Sequence, residues 1–310
     1  MKTKTAIVTG GTCNDVPAMA CLVMNIKDTN PSLADEIVIY HDGILEKDQQ
    51  LINSIFPTRF ILYESPFKEV TDFGDVVTKY FSPMVFCKYE CLKLLDDYER
   101  VIWTDYDVVI VDDLSELKVK SESGIEIMIS TDGHIYDAFQ GNYSDLEFLK
   151  KYDLEREGLC MSLFIVYNNL AGYEYLYKWS VEYTKKLAQY LLFPEQAVIN
   201  LLLQEFDIKA GVKKIIDKFY SVHPSDFFKS SAVKIIHAYG QPKFWNGLYN
   251  ETWEKNYTQW IKMGGSPYEH RTMKYKLKTI TQNFKSKVKK VIKKLVCKEY
   301  TEKEHAHEYI

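Results

Sequence analysis

The chain has no Cys-x-x-Cys pair. Its six cysteines, at 13, 21, 87, 91, 160 and 297, are scattered. That spacing excludes a compact metal knuckle and a disulfide framework, and reduced thiols in a cytosolic compartment are the simplest reading. The chain also lacks any apolar run of about 18 residues, the length a transmembrane helix needs. Met-Lys-Thr-Lys at the start leads into an apolar stretch, but Asn14, Asp15 and Pro17 interrupt it too early for a secretory h-region. Acidic residues are missing from Arg271 to Lys298, where eleven residues are Lys or Arg. The whole chain has 39 basic and 43 acidic residues, a net of −4; with those eleven set aside, 28 basic face 43 acidic, a net of −15. A body that acidic excludes nucleic acid as the expected partner.

Aromatic residues are abundant, with 23 Tyr and 16 Phe among 310 residues. Core packing accounts for most of them, and the remainder suit a sugar-binding surface. The stretch that organises the chain is Tyr98 to Leu117, YERVIWTDYDVVIVDDLSEL. The apolar runs Val101-Ile102-Trp103 and Val108 to Val111 read as a buried strand, parallel and covered on both faces. Between them lie Asp105 and Asp107, which strand alternation puts on one side. Two carboxylates there form a claw for a hard divalent cation, Mg²⁺ or Mn²⁺. An EF-hand loop is excluded, because Val109 and Ile110 stand where it needs an Asp or Asn and a Gly. A haloacid-dehalogenase-like phosphatase, with Asp105 as nucleophile and Asp107 as acid/base, is an alternative. Val109 fits that motif, but its depth in the chain does not. Asp112 and Asp113 read as capping or solvated residues at the turn into a helix over the following Leu114 to Leu117.

A second block, His237-Ala-Tyr-Gly240-Gln-Pro-Lys243-Phe-Trp245, follows about 130 residues later. Together with LLDDYERVIWTDYDVVIVDDLSEL it makes the chain resemble glycosyltransferase family 8, the retaining GT-A transferases, over roughly residues 3–262. The first stretch is similar to that family's D-x-D block, and the second to its H-x-x-G-x-x-K-P-W block, with only the Pro before Trp245 changed. The resemblance implies an α/β, GT-A (Rossmann-like) fold with a mixed, mostly parallel sheet flanked by helices. It implies a metal held by Asp105, Asp107 and His237, Gly240 letting the backbone approach a pyrophosphate, and Lys243 neutralising it.

The rest of the chain is consistent with such a sheet. Thr5 to Thr9 reads as the first strand, Gly10-Gly11-Thr12 as a turn and Val16 to Ile26 as a helix, a mononucleotide-binding opening. By resemblance Thr9, Thr12 and Asn14 contact the nucleotide, and Tyr106 joins them from within the D-x-D. Strands are expected at Glu36 to Tyr40, Arg59 to Tyr63 and Glu126 to Ser130, with a helix at Glu46 to Ile55. His41 is expected to cap or pack at a strand end. A helix is expected over Asp75 to Leu95, where Lys88 replaces an arginine that faces the donor in the family; Lys cannot form the bidentate fork. Asp132 stands where the family often lines the donor and acceptor pocket. Leu159 to Asn169 is a strand in which Met161-Ser162-Leu163 replaces the family's Asn-x-Gly. Tyr173 to Leu187 is a helix, and Pro194 and Glu195 open the next one. Glu195 and Gln196 there match residues beside the anomeric carbon in the family. Val233 to Ile236 is a short strand that delivers His237.

Beyond about residue 265 the character changes. Leu277, Ile280, Phe284, Val288, Val291 and Leu295 recur at helical spacing among lysines, the profile of an amphipathic helix on anionic lipid. Two regions are therefore expected: a transferase domain, 1–265, and a basic amphipathic membrane-association tail, 266–310. The expected function is metal-dependent, retaining transfer of a hexose from a UDP-sugar, UDP-glucose or UDP-galactose, to a surface-glycan or lipid-linked acceptor. The expected location is cytoplasmic, peripheral on the inner face of the membrane. A non-catalytic UDP- or glycan-binding relative is the other alternative, kept open by Met161-Ser162-Leu163.

Overall fold

The computed structural model describes residues 4–68, 73–211, 215–227 and 230–273, without the side chains of residues 76 and 129–132. Among the described residues, eight strands form two sheets. The large sheet contains β1 (Thr5–Gly11), β2 (Glu36–His41), β3 (Thr58–Leu62), β4 (Arg100–Thr104), β6 (Ile125–His134) and β7 (Glu157–Tyr167), in the order β3-β2-β1-β4-β7-β6. The joints from β3 to β4 are parallel, whereas β7 runs antiparallel to both β4 and β6. The small sheet pairs β5 (Val108–Ile110) with β8 (Ile235–His237), antiparallel.

Alternation along β1 and β4 divides the core. Ala6, Val8, Val101 and Trp103 face one apolar cluster, which reaches α5 (Tyr173–Leu187) and α6 (Pro194–Glu205). Ile7 and Ile102 face the other, under α1 (Val16–Thr29). A strand with both faces covered needs no polar alternation, which is why these segments read as continuous apolar runs. α2 (Glu46–Ile55) and the Tyr173–Leu187 helix have the bounds expected from the sequence. The architecture is the mixed, mostly parallel α/β sandwich of GT-A transferases.

Three expectations are corrected. The stretch 101–111 is not one strand: β4 ends at Thr104, and β5 belongs to the other sheet. Asp105 donates its N–H to the Ser162 carbonyl (3.1 Å) and leaves the large sheet there. On its other edge β5 meets no strand among the described residues. Instead the buried Asn25 of α1 pairs with Ile110 like a strand residue, accepting its N–H (2.6 Å) and donating to its carbonyl (3.0 Å). A side-chain amide can thus satisfy a buried strand edge. The helix expected over 75–95 is broken into α3 (Asp75–Tyr80), a 3-10 turn Pro83–Tyr89, α4 (Glu90–Lys93) and a further 3-10 turn. Pro83 cannot donate to the preceding turn, which ends α3. The segment after Asp113 is a single 3-10 turn, Ser115–Lys118, rather than a helix.

Among the described residues no helix is long and apolar enough to cross a membrane, and the five described cysteines are free thiols. The last described helix is α7 (Glu251–Lys262). The chain divides into two compact units, 1–266 and 267–310. Of the second, residues 267–273 are described, with a 3-10 turn at Glu269–Arg271. The amphipathic tail expected over Arg271 to Lys298 otherwise lies outside the described residues.

Candidate active site

The β5–β8 ladder brings the two halves of the site together. Val108 pairs with His237, and the Ala238 N–H donates to the Asp107 carbonyl (2.9 Å). This register sets Asp107 beside His237, with Asp105 just outside the end of β4. One ligand atom from each of Asp105, Asp107 and His237 lies within 4.8 Å of the others. His237 Nε2 is 3.2 Å from Asp107 Oδ1 and 3.8 Å from Asp105 Oδ2. The ring's other nitrogen, Nδ1, bonds the Ser221 hydroxyl (2.8 Å). That contact orients the imidazole and leaves Nε2 toward the carboxylates, the arrangement that metal-ligating histidines use.

Two lysines compensate the carboxylates. The Lys243 ammonium donates to Asp107 Oδ2. Burial alone would raise the Asp107 carboxyl, but His237 and Lys243 outweigh it and hold the group well below the usual carboxylate range. The buried Lys88 donates to Glu195 Oε1 (2.9 Å) and lies 3.2 Å from Asp105 Oδ1. Burial would lower its ammonium, yet Asp105 and Glu195 together hold it above the ordinary lysine value. Trp103 Nε1 donates to the same Asp105 oxygen (2.9 Å). Glu195 is buried in the first turn of α6, and its second oxygen, Oε2, has no hydrogen-bond partner. An unpaired buried carboxylate oxygen is costly, and such atoms collect where a ligand or ion completes them.

The turn after β1 is closed by its own side chains. Asp15 Oδ2 accepts from the Thr12 N–H (2.9 Å) and the Thr12 hydroxyl (2.6 Å), and Tyr106 also hydrogen-bonds to Asp15. Burial raises the Asp15 carboxyl above its ordinary value against these bonds. The Tyr106 ring stacks near Trp245, centroids 6.0 Å apart. A Cβ on Gly11 would lie 2.8 Å from the Tyr106 ring, and one on Gly10 would lie 2.5 Å from Cys87 Sγ. Both glycines of the turn therefore permit close approach.

The structure brings together Asp105, Asp107, His237, Lys88, Lys243 and Glu195. Gln196 follows Glu195, half-buried. Gly240 lies two residues past Ala238, at φ +69°, where a Cβ would meet nothing within 4 Å. Thr12 and Tyr106 meet at Asp15, as described. Asn14 is exposed in the 3-10 turn Cys13–Asp15. Thr9 is fully buried, and its hydroxyl has no partner. Asp132 lies in β6, and its side chain is outside the described residues. Lys88, expected to face the donor, ties the half-buried Asp105 to the buried Glu195 through its ammonium. His41 is a strand-end cap: its Nδ1 accepts from the Gly43 and Ile44 N–H groups (3.1 and 3.0 Å). Asp113 caps Ser115, and Asp112 pairs with Lys234.

Sequence reading missed Ser221, Trp103, Asp15 and the anchoring role of Ser162. Ser221 and Ser162 carry no local signal, since each acts across a gap in the chain that only the fold closes, whereas Asp15 bonds Thr12 three residues away in a capping box and Trp103 bonds Asp105 two residues away. Asn200 has a structural role: it accepts from the Leu159 N–H (2.9 Å) and donates to its carbonyl (3.1 Å), pinning α6 to β7.

The mixed α/β sheet and the Asp-Asp-His cluster beyond the end of β4 fit the glycosyltransferase class. The model of Glycosyl transferase family 8 matches residues 7–248, and the chain belongs to that family. Solved structures share the fold. An active-site mutant of LgtC is 14% identical over 86% of this chain and 99% of its own, with a TM-score of 0.63. Galactosyltransferase LgtC in complex with donor and acceptor sugar analogs is 13% identical over 86% of this chain and 99% of its own, with a TM-score of 0.59. The apo WbbM bifunctional glycosyltransferase is 14% identical over 85% of this chain, with a TM-score of 0.62, and the chain spans 52% of it. No curated protein matches the sequence. The donor set suits a divalent cation: two carboxylates and an imidazole held by an outer hydroxyl.

Proposed function

We propose that this chain is a metal-dependent, retaining hexosyltransferase that takes UDP-glucose or UDP-galactose as donor and a surface-glycan or lipid-linked acceptor. The observation that carries this reading is the Asp105–Asp107–His237 cluster beyond the end of β4, with Asp107 and His237 buried, Asp105 half-buried and Lys243 against it. LgtC, a galactosyltransferase seen with donor and acceptor sugar analogs, supports the substrate class. Asp105, Asp107 and His237 would hold Mn²⁺ or Mg²⁺. Bound there, the cation supplies Lewis-acid charge to the diphosphate of the departing UDP.

The chain's own residues do the rest. Ser221 keeps His237 in the orientation that presents Nε2. Lys88 holds Asp105 and Glu195 in place. Lys243, already at the cluster, adds positive charge where negative charge grows on the leaving phosphate. Thr9, Thr12, Asn14, Tyr106 and Gly240 surround the nucleotide in this reading. Glu195 and Gln196 would face the anomeric carbon, which passes through an oxocarbenium-like state, and Asp132 is assigned to the same pocket by family resemblance alone. The acceptor hydroxyl attacks from the same face, and the leaving phosphate takes its proton. Retention rests on family membership.

The phosphatase alternative gives His237 and Lys243 no task, although both contact Asp107. The deciding experiment is UDP release from a panel of UDP-sugars with Mn²⁺, run on the intact protein and on Asp107→Asn. Turnover of one sugar, lost in the variant and on chelation, supports the transferase and names its donor. Tight UDP–Mn²⁺ binding without turnover, even with glycan acceptors supplied, favours a binding relative. Absence of UDP binding overturns the reading.

The basic segment Arg271 to Lys298 would hold the enzyme on the anionic inner face of the membrane from the cytoplasm. Cosedimentation with phosphatidylglycerol vesicles, weakening as salt rises, is the expected result. Equal recovery with phosphatidylcholine vesicles would remove the tail from this role.

A further inference from the structure

The residues beside the metal cluster include an aromatic ring that the core does not require. Tyr239 is 51% exposed, although it lies two residues beyond the buried His237. Its ring meets His237 edge-on, centroids 5.5 Å apart, and meets His223 at 4.9 Å. The segment around Val222 runs alongside β8: Val222 bridges Ile236, and the His237 N–H donates to the Val222 carbonyl (2.9 Å). Ser221 therefore meets His237, and His223 meets Tyr239. His223 Nδ1 accepts from the Ser225 N–H (3.3 Å) and also bonds the Ser225 hydroxyl (2.8 Å), leaving Nε2 as the ring's remaining polar atom. Beyond Tyr239, Gly240 turns the chain at φ +69°, and open space surrounds it.

We propose that Tyr239, buttressed by His223, is the platform on which the acceptor's sugar ring stacks, one aromatic ring away from the metal ligand His237. This rests on the transferase reading above. The acceptor hydroxyl must reach an anomeric carbon whose leaving group sits on the cluster, so its sugar must lie next to the cluster. Sugars present an apolar C–H face that packs on an aromatic ring, while a tyrosine hydroxyl and an imidazole N–H serve the hydroxyls at the rim. The turn after β1 offers no equivalent, because Thr12, Asp15 and Tyr106 are bonded to one another. Tyr239 is thus a specificity-determining residue for the acceptor, while the cluster serves the donor.

The test uses the full chain with UDP and Mg²⁺, and methyl β-D-galactopyranoside and methyl β-D-glucopyranoside as probes. Saturation-transfer NMR reads glycoside binding, and calorimetry reads UDP–Mg²⁺ binding. The expected result is saturation of the ring C–H protons in the wild type and in Tyr239→Phe. In Tyr239→Ala, binding should be roughly tenfold weaker, the scale of one lost aromatic contact, with UDP–Mg²⁺ affinity unchanged. His223→Ala should give a smaller loss of the same kind. The proposal is overturned if neither glycoside is saturated in the wild type, or if Tyr239→Ala retains full binding. It is also overturned if UDP alone displaces the glycoside, or if Tyr239→Ala loses UDP–Mg²⁺ as well, since the ring would then merely support His237. A wild type that binds glycoside but not UDP–Mg²⁺ would sink the transferase reading and leave the platform standing.

Discussion

The two sheets divide the work of this protein. The six-stranded sheet is apolar on both faces and carries the two core clusters. The two-stranded sheet has three residues on each strand, and its register pairs Val108 with His237, which sets the preceding Asp107 beside the imidazole. Both sheets are buried, with Val108, Ile110 and Ile235 in the second cluster, but the edges of the small one are completed by single residues: Asn25 on one and Val222 on the other. The difference teaches that the chemistry sits on a small ladder attached to a large one, so damage to one need not be damage to the other. Lys88 is the exception, because it ties Asp105, at the end of β4, to Glu195 on α6.

The largest effect is therefore expected at that seam. Lys88→Ala leaves two carboxylates without their buried partner and should cost about 3–5 kcal/mol, the scale of a broken buried ion pair. Urea unfolding measures it, and Lys88→Arg should recover most of the loss. Wild-type stability in the alanine variant would mean that the pair is held elsewhere. Next comes Asp107→Asn, which should lower UDP release by about a hundredfold or more while moving the melting temperature little. If unfolding and activity fall together, the two sheets are not separable. Ser221→Ala removes only the orienting bond to His237, and metal affinity should drop about tenfold, read by titration calorimetry.

The smallest effect is in pH dependence. His41 must be neutral to accept two backbone N–H groups, and burial lowers its folded pKa below the ordinary value near 6.5. Its contribution is complete above that unfolded value and is lost as pH falls through the folded one. Stability should therefore decline below about pH 6.5 in the wild type, and His41→Asn should flatten the decline. An unchanged slope in the variant would assign the pH dependence to other groups.

Much of this was legible in the residues. The helices at 46–55 and 173–187 show amphipathic periodicity and have clear ends. The strands at 5–11, 36–41 and 58–62 are short apolar runs, and the motif pair Asp105–Asp107 and His237 names the cluster before any fold is known. The path through 101–111 was not legible, because one apolar run looks like one strand whether it joins one sheet or two. Its division depends on Ser162, Asn25 and β8, all remote in the chain. Lys88 shows the same limit: a lysine on a helix-like segment has no sequence mark that says which charge it will meet.

The residue order by itself determined the fold class, the family and the identity of the cluster, since periodicity and motif spacing are properties of neighbours along the chain. Tertiary structure alone decided that the cluster forms across two sheets, that Ser221 orients His237, that Lys88 joins Asp105 to Glu195, and that Tyr239 stands exposed beside the site. Each of these depends on distance through space, which is set by how the sheets pack and their registers align. No local stretch of chain carries that information.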